Sequence, residues 1–412
     1  MSGSKPSGKI ELTSFVHAAP YRETAHAGGQ YVWAHARVLS DSCNAVYYAP
    51  DLEDNVRAGL DNWSADVAVR IVPASHSCYE RAVQWLGSLL DVYRWNIGFA
   101  RSVVRDAEVI ERLRRSHTVE LQWVEYIRLV GFVRRHAPAA RVIGIVHDVV
   151  SSRNYRRARN SPRLSTRLSA GLVWRFEKFR ERRWFDELDT AIVLSQKDAD
   201  LLIDVGVRCK IEVVRPDLEE VGMFDASCSD RVPTKKVIFV GAFWRPENET
   251  AAVHLLEHIW PEIVVAHPDA TLQLVGNRPS RRMYDAAAVH PSVTVTGYVE
   301  SMAPYYRSAH CAVIPLRAGA GVKFKTVTAM LWGVPVVSTH VGTEGIADDD
   351  VFYAVADTDE GIIDGLVRCL DDDSAFADAR RTRDWARSRY SARQFRQALE
   401  SVYGPSRTVA TE

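Results

Sequence analysis

Val237-Ile238-Phe239-Val240-Gly241-Ala242-Phe243-Trp244-Arg245-Pro246 is an apolar run that ends in a glycine and opens into a polar loop. A run this short, rich in β-branched and aromatic residues, reads as a strand buried on both faces, as strands of parallel sheets are. Gly241 lets the backbone approach a ligand closely, and the helix expected from about Glu249 offers unpaired N–H groups to an anion. Taken alone the segment fits a structural turn as well as a phosphate site, because every sheet of this type contains a strand, a glycine loop and a helix.

The same unit recurs along the chain. Strands are expected near Ile10–Val16, Ala45–Tyr48, Val67–Val72, Val119–Trp123, Arg141–His147, Thr190–Leu194 and Ile211–Val214, with helices such as Tyr31–Ser40, Val83–Ala107, Val124–Arg135 and Leu168–Phe185 between them. Asp217–Thr234 has no apolar period and reads as a linker. Beyond it come strands at Lys236–Val240, Thr271–Val275, Val293–Val295, Ala312–Pro315, Pro335–Ser338 and Val351–Tyr353. The fold class is therefore α/β with two Rossmann-like domains: residues 1–217 form the first, 235–383 the second, and the final helices, about 384–412, return to the first.

Composition agrees with a two-domain globular chain: 412 residues, 47% hydrophobic, 25% charged, and 52 cationic against 52 acidic residues. Balanced charge gives no reason to expect a nucleic-acid partner. No stretch approaches the roughly 18 apolar residues that span a bilayer, and Met1–Lys9 lacks the apolar core of a signal peptide, so a cytoplasmic protein is expected. Cys43, Cys78, Cys209, Cys228, Cys311 and Cys369 have no metal-ligand spacing and read as reduced thiols. One region departs from the balance: residues 153–183 carry eleven Lys/Arg against Glu177 and Glu181. That is either a solvated basic face or a contact for an anionic acceptor or the inner face of a membrane.

A second segment sharpens the chemistry. Pro315-Leu316-Arg317-Ala318-Gly319-Ala320-Gly321-Val322-Lys323-Phe324-Lys325-Thr326-Val327-Thr328 leads from a strand through a small-residue loop into a helix, followed by Gly333-Val334-Pro335-Val336-Val337-Ser338-Thr339. Gly319 and Gly321 permit close approach, the helix start favours negative charge, and Lys323 adds a full counter-charge. A diphosphate meets all three conditions. Lys325 is two residues on, a spacing that does not share a helix face, so Lys323 is the expected principal contact.

From Val237 to Ile346 the chain resembles the donor-binding domain of retaining glycosyltransferases of GT-B fold, glycosyl transferases group 1 or family 4. The resemblance is carried by FVGAFWRPEN, LQLVGNRP, VTVTGYVES, PYYRSAHCAVIPLRAGAGVKFKTVTAMLWGVPVVST and GTEGI. The first half resembles the acceptor domain more loosely, through Gly28-Gly29-Gln30, Val146-His147-Asp148 and FDELDTAIVLSQKDAD at Phe185–Asp200. The resemblance implies two Rossmann-like domains across a cleft, with Gly28 and Gly29 on the acceptor side and His147 near the transferred sugar. It implies a donor site at Gly241, Arg245, Gly276, Gly297, Tyr298, Gly319, Gly321, Lys323, Lys325 and Thr328. His147 also fits an ordinary strand-end histidine, and Gly28-Gly29 a turn.

Two departures stand out. Many family members carry two glutamates eight positions apart around the small-residue loop; Ala320 and Thr328 hold those positions here. The frequent Arg and Lys pair after the first strand of the domain is also absent, leaving Arg245 as the nearest cation. The function implied is retaining transfer of a sugar from a nucleoside-diphosphate sugar to a glycan, lipid-linked or small-molecule hydroxyl. No cofactor is expected, and no metal, because cations and a helix start can stabilise the leaving diphosphate. A non-catalytic homologue that binds nucleotide or glycan beside a partner enzyme is the alternative. An epimerase of similar architecture would call for acidic residues that the GAGVK loop lacks.

Overall fold

The computed structural model describes residues 9–21, 27–56, 67–74, 97–147, 164–219, 234–372 and 374–404. The chain divides into two compact units, Met1–Val214 with Arg396–Glu412, and Arg215–Phe395.

Among the described residues the first unit has seven parallel strands: β1 Ile10–Phe15, β2 Cys43–Pro50, β3 Ala68–Val72, β4 Thr118–Gln122, β5 Arg141–Val146, β6 Thr190–Val193 and β7 Lys210–Val213. They lie in the order β3-β2-β1-β4-β5-β6-β7. The central strands bury both faces, as in β4, where all five residues are buried, and Phe15, Leu121, Val142 and Val146 join one continuous core. The helix Gln196–Val205 shows how sequence sets an element's ends. Ser195 Oγ accepts from Asp198 N at 3.1 Å to start it, and Gly206, at φ 87°, ends it in the left-handed region.

Among the described residues the second unit has six parallel strands: β8 Lys236–Val240, β9 Thr271–Val275, β10 Val293–Gly297, β11 Cys311–Ile314, β12 Val336–Ser338 and β13 Ala354–Val355. Their order is β10-β9-β8-β11-β12-β13, so the direction of winding reverses between β8 and β11. Ligands of open parallel sheets collect outside the carboxyl ends of the strands at such a reversal. The core below contains Val237, Ile238, Phe239, Trp260, Val313, Val327, Leu331 and Trp332.

Several elements differ from the sequence reading. The stretch Val124–Arg135 is two helices, Val124–Ile127 and Val130–His136, because the chain turns between Arg128 and Leu129. Val351–Tyr353 is not a strand: a 3₁₀ turn covers Asp349–Val351 and the strand follows at Ala354–Val355. Apolar content marked the place, and pairing to β12 through Val337↔Ala354 fixed the register. The helix expected from Glu249 begins at Pro246, since proline suits the first helical turn. Residues 83–96 of the expected Val83–Ala107 helix lie outside the described residues, and Ile97–Arg105 is helical. The chain rejoins the first unit at Arg396, so 384–395 belongs to the second; there Ala386 and Tyr390 are buried in its core.

Candidate functional site

The loops after β8 and β11 flank the reversal point of the second sheet, and Gly241, Gly276, Gly319, Lys323 and Lys325 lie in or beside them. Gly241 follows β8, its N–H donating to Val275 O at 3.0 Å. A Cβ at Gly241 would stand 3.3 Å from the Asn248 side chain and 3.4 Å from Lys325 Nζ. Gly276, at φ 150°, comes so close to the Gly241 carbonyl that a Cβ there would sit 1.8 Å from its oxygen. No other residue fits. Gly276 N in turn donates to Gly297 O at 3.2 Å, which ties the ends of β8, β9 and β10 together.

The two lysines stand in different surroundings. Lys323 caps the helix Phe324–Leu331 from outside it, with extended backbone at φ −86° and ψ 95°. Its ammonium donates to Gly321 O at 2.6 Å and Ala320 O at 3.1 Å and stands 3.7 Å from Glu344 Oε2. It thus braces its own loop. Lys325 lies in the first helical turn, and its Nζ donates to Asn248 Oδ1 at 2.5 Å and lies 5.1 Å from the centre of the Phe239 ring. Burial, followed by the charges of Lys323 and Arg245, pushes its ammonium down to about 7. The spacing argument that separated Lys325 from the site does not apply, because Lys323 is not helical and the rule concerns two residues on one helix.

Arg245 caps the helix Pro246–His254 and is half exposed, paired through Nε to Glu247 Oε1 at 3.2 Å. Glu247 also borders Gly319, whose added Cβ would lie 4.0 Å from it and 3.4 Å from Lys323 Cε. Gly319 and Gly321 adopt φ of 124° and 70°, conformations that suit glycine. Thr328 is buried, as is Thr326, whose hydroxyl donates to Gly342 O at 2.7 Å. Tyr298 is exposed beside Gly297.

Sequence reasoning missed three side chains. Asn248 holds Lys325 from 77 residues away and anchors itself by donating to Ala242 O at 2.9 Å. Glu247 and Glu344 bring carboxylates to a loop that has none of its own. All three lie in quoted motifs, RPEN and GTEGI, but their pairing is tertiary.

In the first unit, His147 ends the β5 segment, buried, with its ring stacked on Trp123 at 4.1 Å and edge-on to Tyr31 at 4.9 Å. Trp123 has φ 68° and ψ 144°, a strained conformation for a residue with a side chain. Its N–H donates to Ile145 O at 2.8 Å, which helps hold it there. Gly28 and Gly29 lie in the first turn of the helix Ala27–Leu39 rather than in a free loop. Asp148 and residues 153–163 lie outside the described residues. No group of three His, Cys, Asp or Glu side chains arranged to hold a metal occurs among the described residues.

Residues 234–372 match the family described as glycosyl transferases group 1. Over 138 residues the chain is 31% identical to an uncharacterized 44.6 kDa protein in the cps region of Klebsiella pneumoniae. That alignment covers 29% of this chain and 35% of the relative. In fold, the whole chain is similar to HepE of Anabaena, solved with UDP and glucose: TM-score 0.67, 13% identity, 96% of this chain and 100% of that one. It is similarly close to sucrose-phosphate synthase of Thermosynechococcus elongatus, with TM-score 0.65, 16% identity, and 95% and 98% covered. TarM gives TM-score 0.66 at 11% identity, with 98% and 100% covered. The fold is GT-B.

Proposed function

We propose that the protein transfers a sugar from a nucleoside-diphosphate sugar to a hydroxyl of a glycan or lipid-linked acceptor, with retention at the anomeric carbon. The observation that carries this reading is the Lys325 ammonium beside Gly241, at the reversal point of a sheet that matches a glycosyltransferase family. A cation in the first turn of a helix suits the diphosphate, whose negative charge grows as the glycosidic bond breaks. Lys325 is then the contact at the β8 loop, Lys323 shapes the Gly319–Gly321 loop and adds charge, and Arg245 reaches the diphosphate from the rim. Tyr298 and Gly297 border the base. His147, set by its stack on Trp123 in the first unit, is assigned to the acceptor. HepE was solved with UDP-glucose, which makes that sugar nucleotide the first probe.

The test is a panel of UDP-, GDP-, dTDP- and ADP-sugars followed by thermal shift, in which a ligand at 100 times its Kd stabilises by about 2.7 kcal/mol. The best donor is then incubated with candidate acceptors, with and without chelator, and the product anomer is read by NMR. Transfer with retention that survives chelation is the expected result. Inversion, or activity that returns only with magnesium or manganese, would overturn the corresponding part. Thr328, in place of a family carboxylate, favours a second reading: donor binding without transfer or hydrolysis would identify a non-catalytic homologue.

A further inference from the structure

Among its described side chains, the helix Leu164–Phe185 packs through one face. Ala170, Glu181 and Phe185 are buried, whereas Leu168, Leu172, Phe176 and Phe179 are 64%, 72%, 55% and 67% exposed. At about 100° per residue, these four fall within an arc of about 80°. Among the described residues eleven large apolar side chains are exposed, and four of them form this one stripe, so the exposure is not scattered.

Cations border the stripe. The helix carries Arg167, Arg175, Lys178, Arg180, Arg182 and Arg183, and the described carboxylate among them, Glu181, is buried. By helical spacing Arg175 and Arg183 fall within or beside the apolar arc, and Lys178 and Arg180 on its two sides. Arg180 stands 5.1 Å from the Phe176 ring centre and 4.7 Å from that of Trp184, while Lys178 donates to Asp204 O at 3.4 Å.

We propose that this face lies on an anionic membrane surface, with Leu168, Leu172, Phe176 and Phe179 in the boundary between headgroups and acyl chains and the flanking cations over acidic headgroups. An amphipathic helix binds this way in the plane of the interface, through apolar burial and attraction to anionic lipid together. No described helix is long and apolar enough to cross the membrane, which is consistent with a helix lying in that plane. A second copy of the chain fits less well, since a two-fold contact through this stripe would set two cation-lined faces against each other.

The experiment uses the full chain and sedimentation with two vesicle types, phosphatidylcholine alone and phosphatidylcholine with phosphatidylglycerol. The protein should bind the mixed vesicles, bind the neutral ones far less, and release as salt rises. Leu172→Ser/Phe176→Ser should reduce partitioning at low salt, and Arg175→Gln/Arg183→Gln should reduce it by about fivefold per cation, the equivalent of about 1 kcal/mol each. These positions are exposed, and unchanged far-UV circular dichroism and thermal midpoint show that each variant is folded. Equal binding to both vesicle types, or unchanged partitioning of the serine variant, overturns the proposal. So does a wild-type dimer that the serine variant converts to monomer without change in vesicle binding.

Discussion

Lys325 and Lys323 stand two residues apart, yet the fold uses them differently. Because Lys325 faces Gly241 while Lys323 donates to carbonyls of its own loop, Lys325→Ala should cost donor binding and turnover by roughly 2 to 4 kcal/mol, as for other removed electrostatic stabilisers. Lys323→Ala should lower both as well, with an added loss of loop order seen as faster backbone hydrogen exchange at Gly319–Val322. Unchanged donor affinity in Lys325→Ala, measured by calorimetry, would return the diphosphate to Lys323 alone. The pH dependence follows from the depressed ammonium. It titrates at about 7 in the folded free protein against the ordinary lysine value of 10.5 in the unfolded chain, so between these limits the unfolded chain holds more protons and the free protein gains stability as pH rises. Donor affinity should move the opposite way, weakening as pH rises above about 7, where Lys325 loses its charge. A sugar nucleotide has no phosphate group titrating near neutrality, so a flat affinity profile for UDP-glucose, or one unchanged in Lys325→Arg, would contradict this assignment.

At the scale of elements, the strands were legible because continuous apolar runs such as Val237–Val240 serve as both sequence signal and buried core. Helix ends fall where a side chain caps the helix. Ser195 caps Gln196–Val205 and is itself bound to Asp198, its hydroxyl donating to Oδ2 at 2.7 Å. Ser195→Ala should therefore destabilise the first unit by about 1 kcal/mol in chemical denaturation. No measurable change would mean that water replaces the cap. Elements whose position depends on a distant neighbour were not legible. The strand Ala354–Val355 is two residues long, and its placement comes from pairing with β12, while Val124–Arg135 breaks at the turn of Arg128 and Leu129. Local pattern carries neither constraint.

For the whole molecule, the closing helix Ala392–Tyr403 shows what assembly adds. Tyr403 reaches the first unit's interior, where His35 Nε2 lies 3.3 Å from its hydroxyl and 3.5 Å from the fully buried Glu120. Burial pushes the His35 imidazole down, outweighing the pull of Glu120 in the opposite direction. The unfolded chain then binds more protons, so this contribution is present above the ordinary histidine range and is lost as pH falls through it. Tyr403→Phe should remove a buried hydroxyl partner and destabilise the first unit by about 1 to 3 kcal/mol, read from its denaturation transition. A neutral substitution would show that the cluster needs no hydroxyl there. The sequence by itself determined the two series of strands and the glycine loops at Gly241 and Gly319. Those features follow from local apolar pattern and backbone freedom, which are written residue by residue. Only the tertiary structure decided that Asn248 holds Lys325, that Glu247 and Glu344 face the small-residue loop, and that the stripe from Leu168 to Phe179 stays uncovered. Partners far apart in the chain and exposure to solvent are properties of the packed surface, and spacing along the sequence does not contain them.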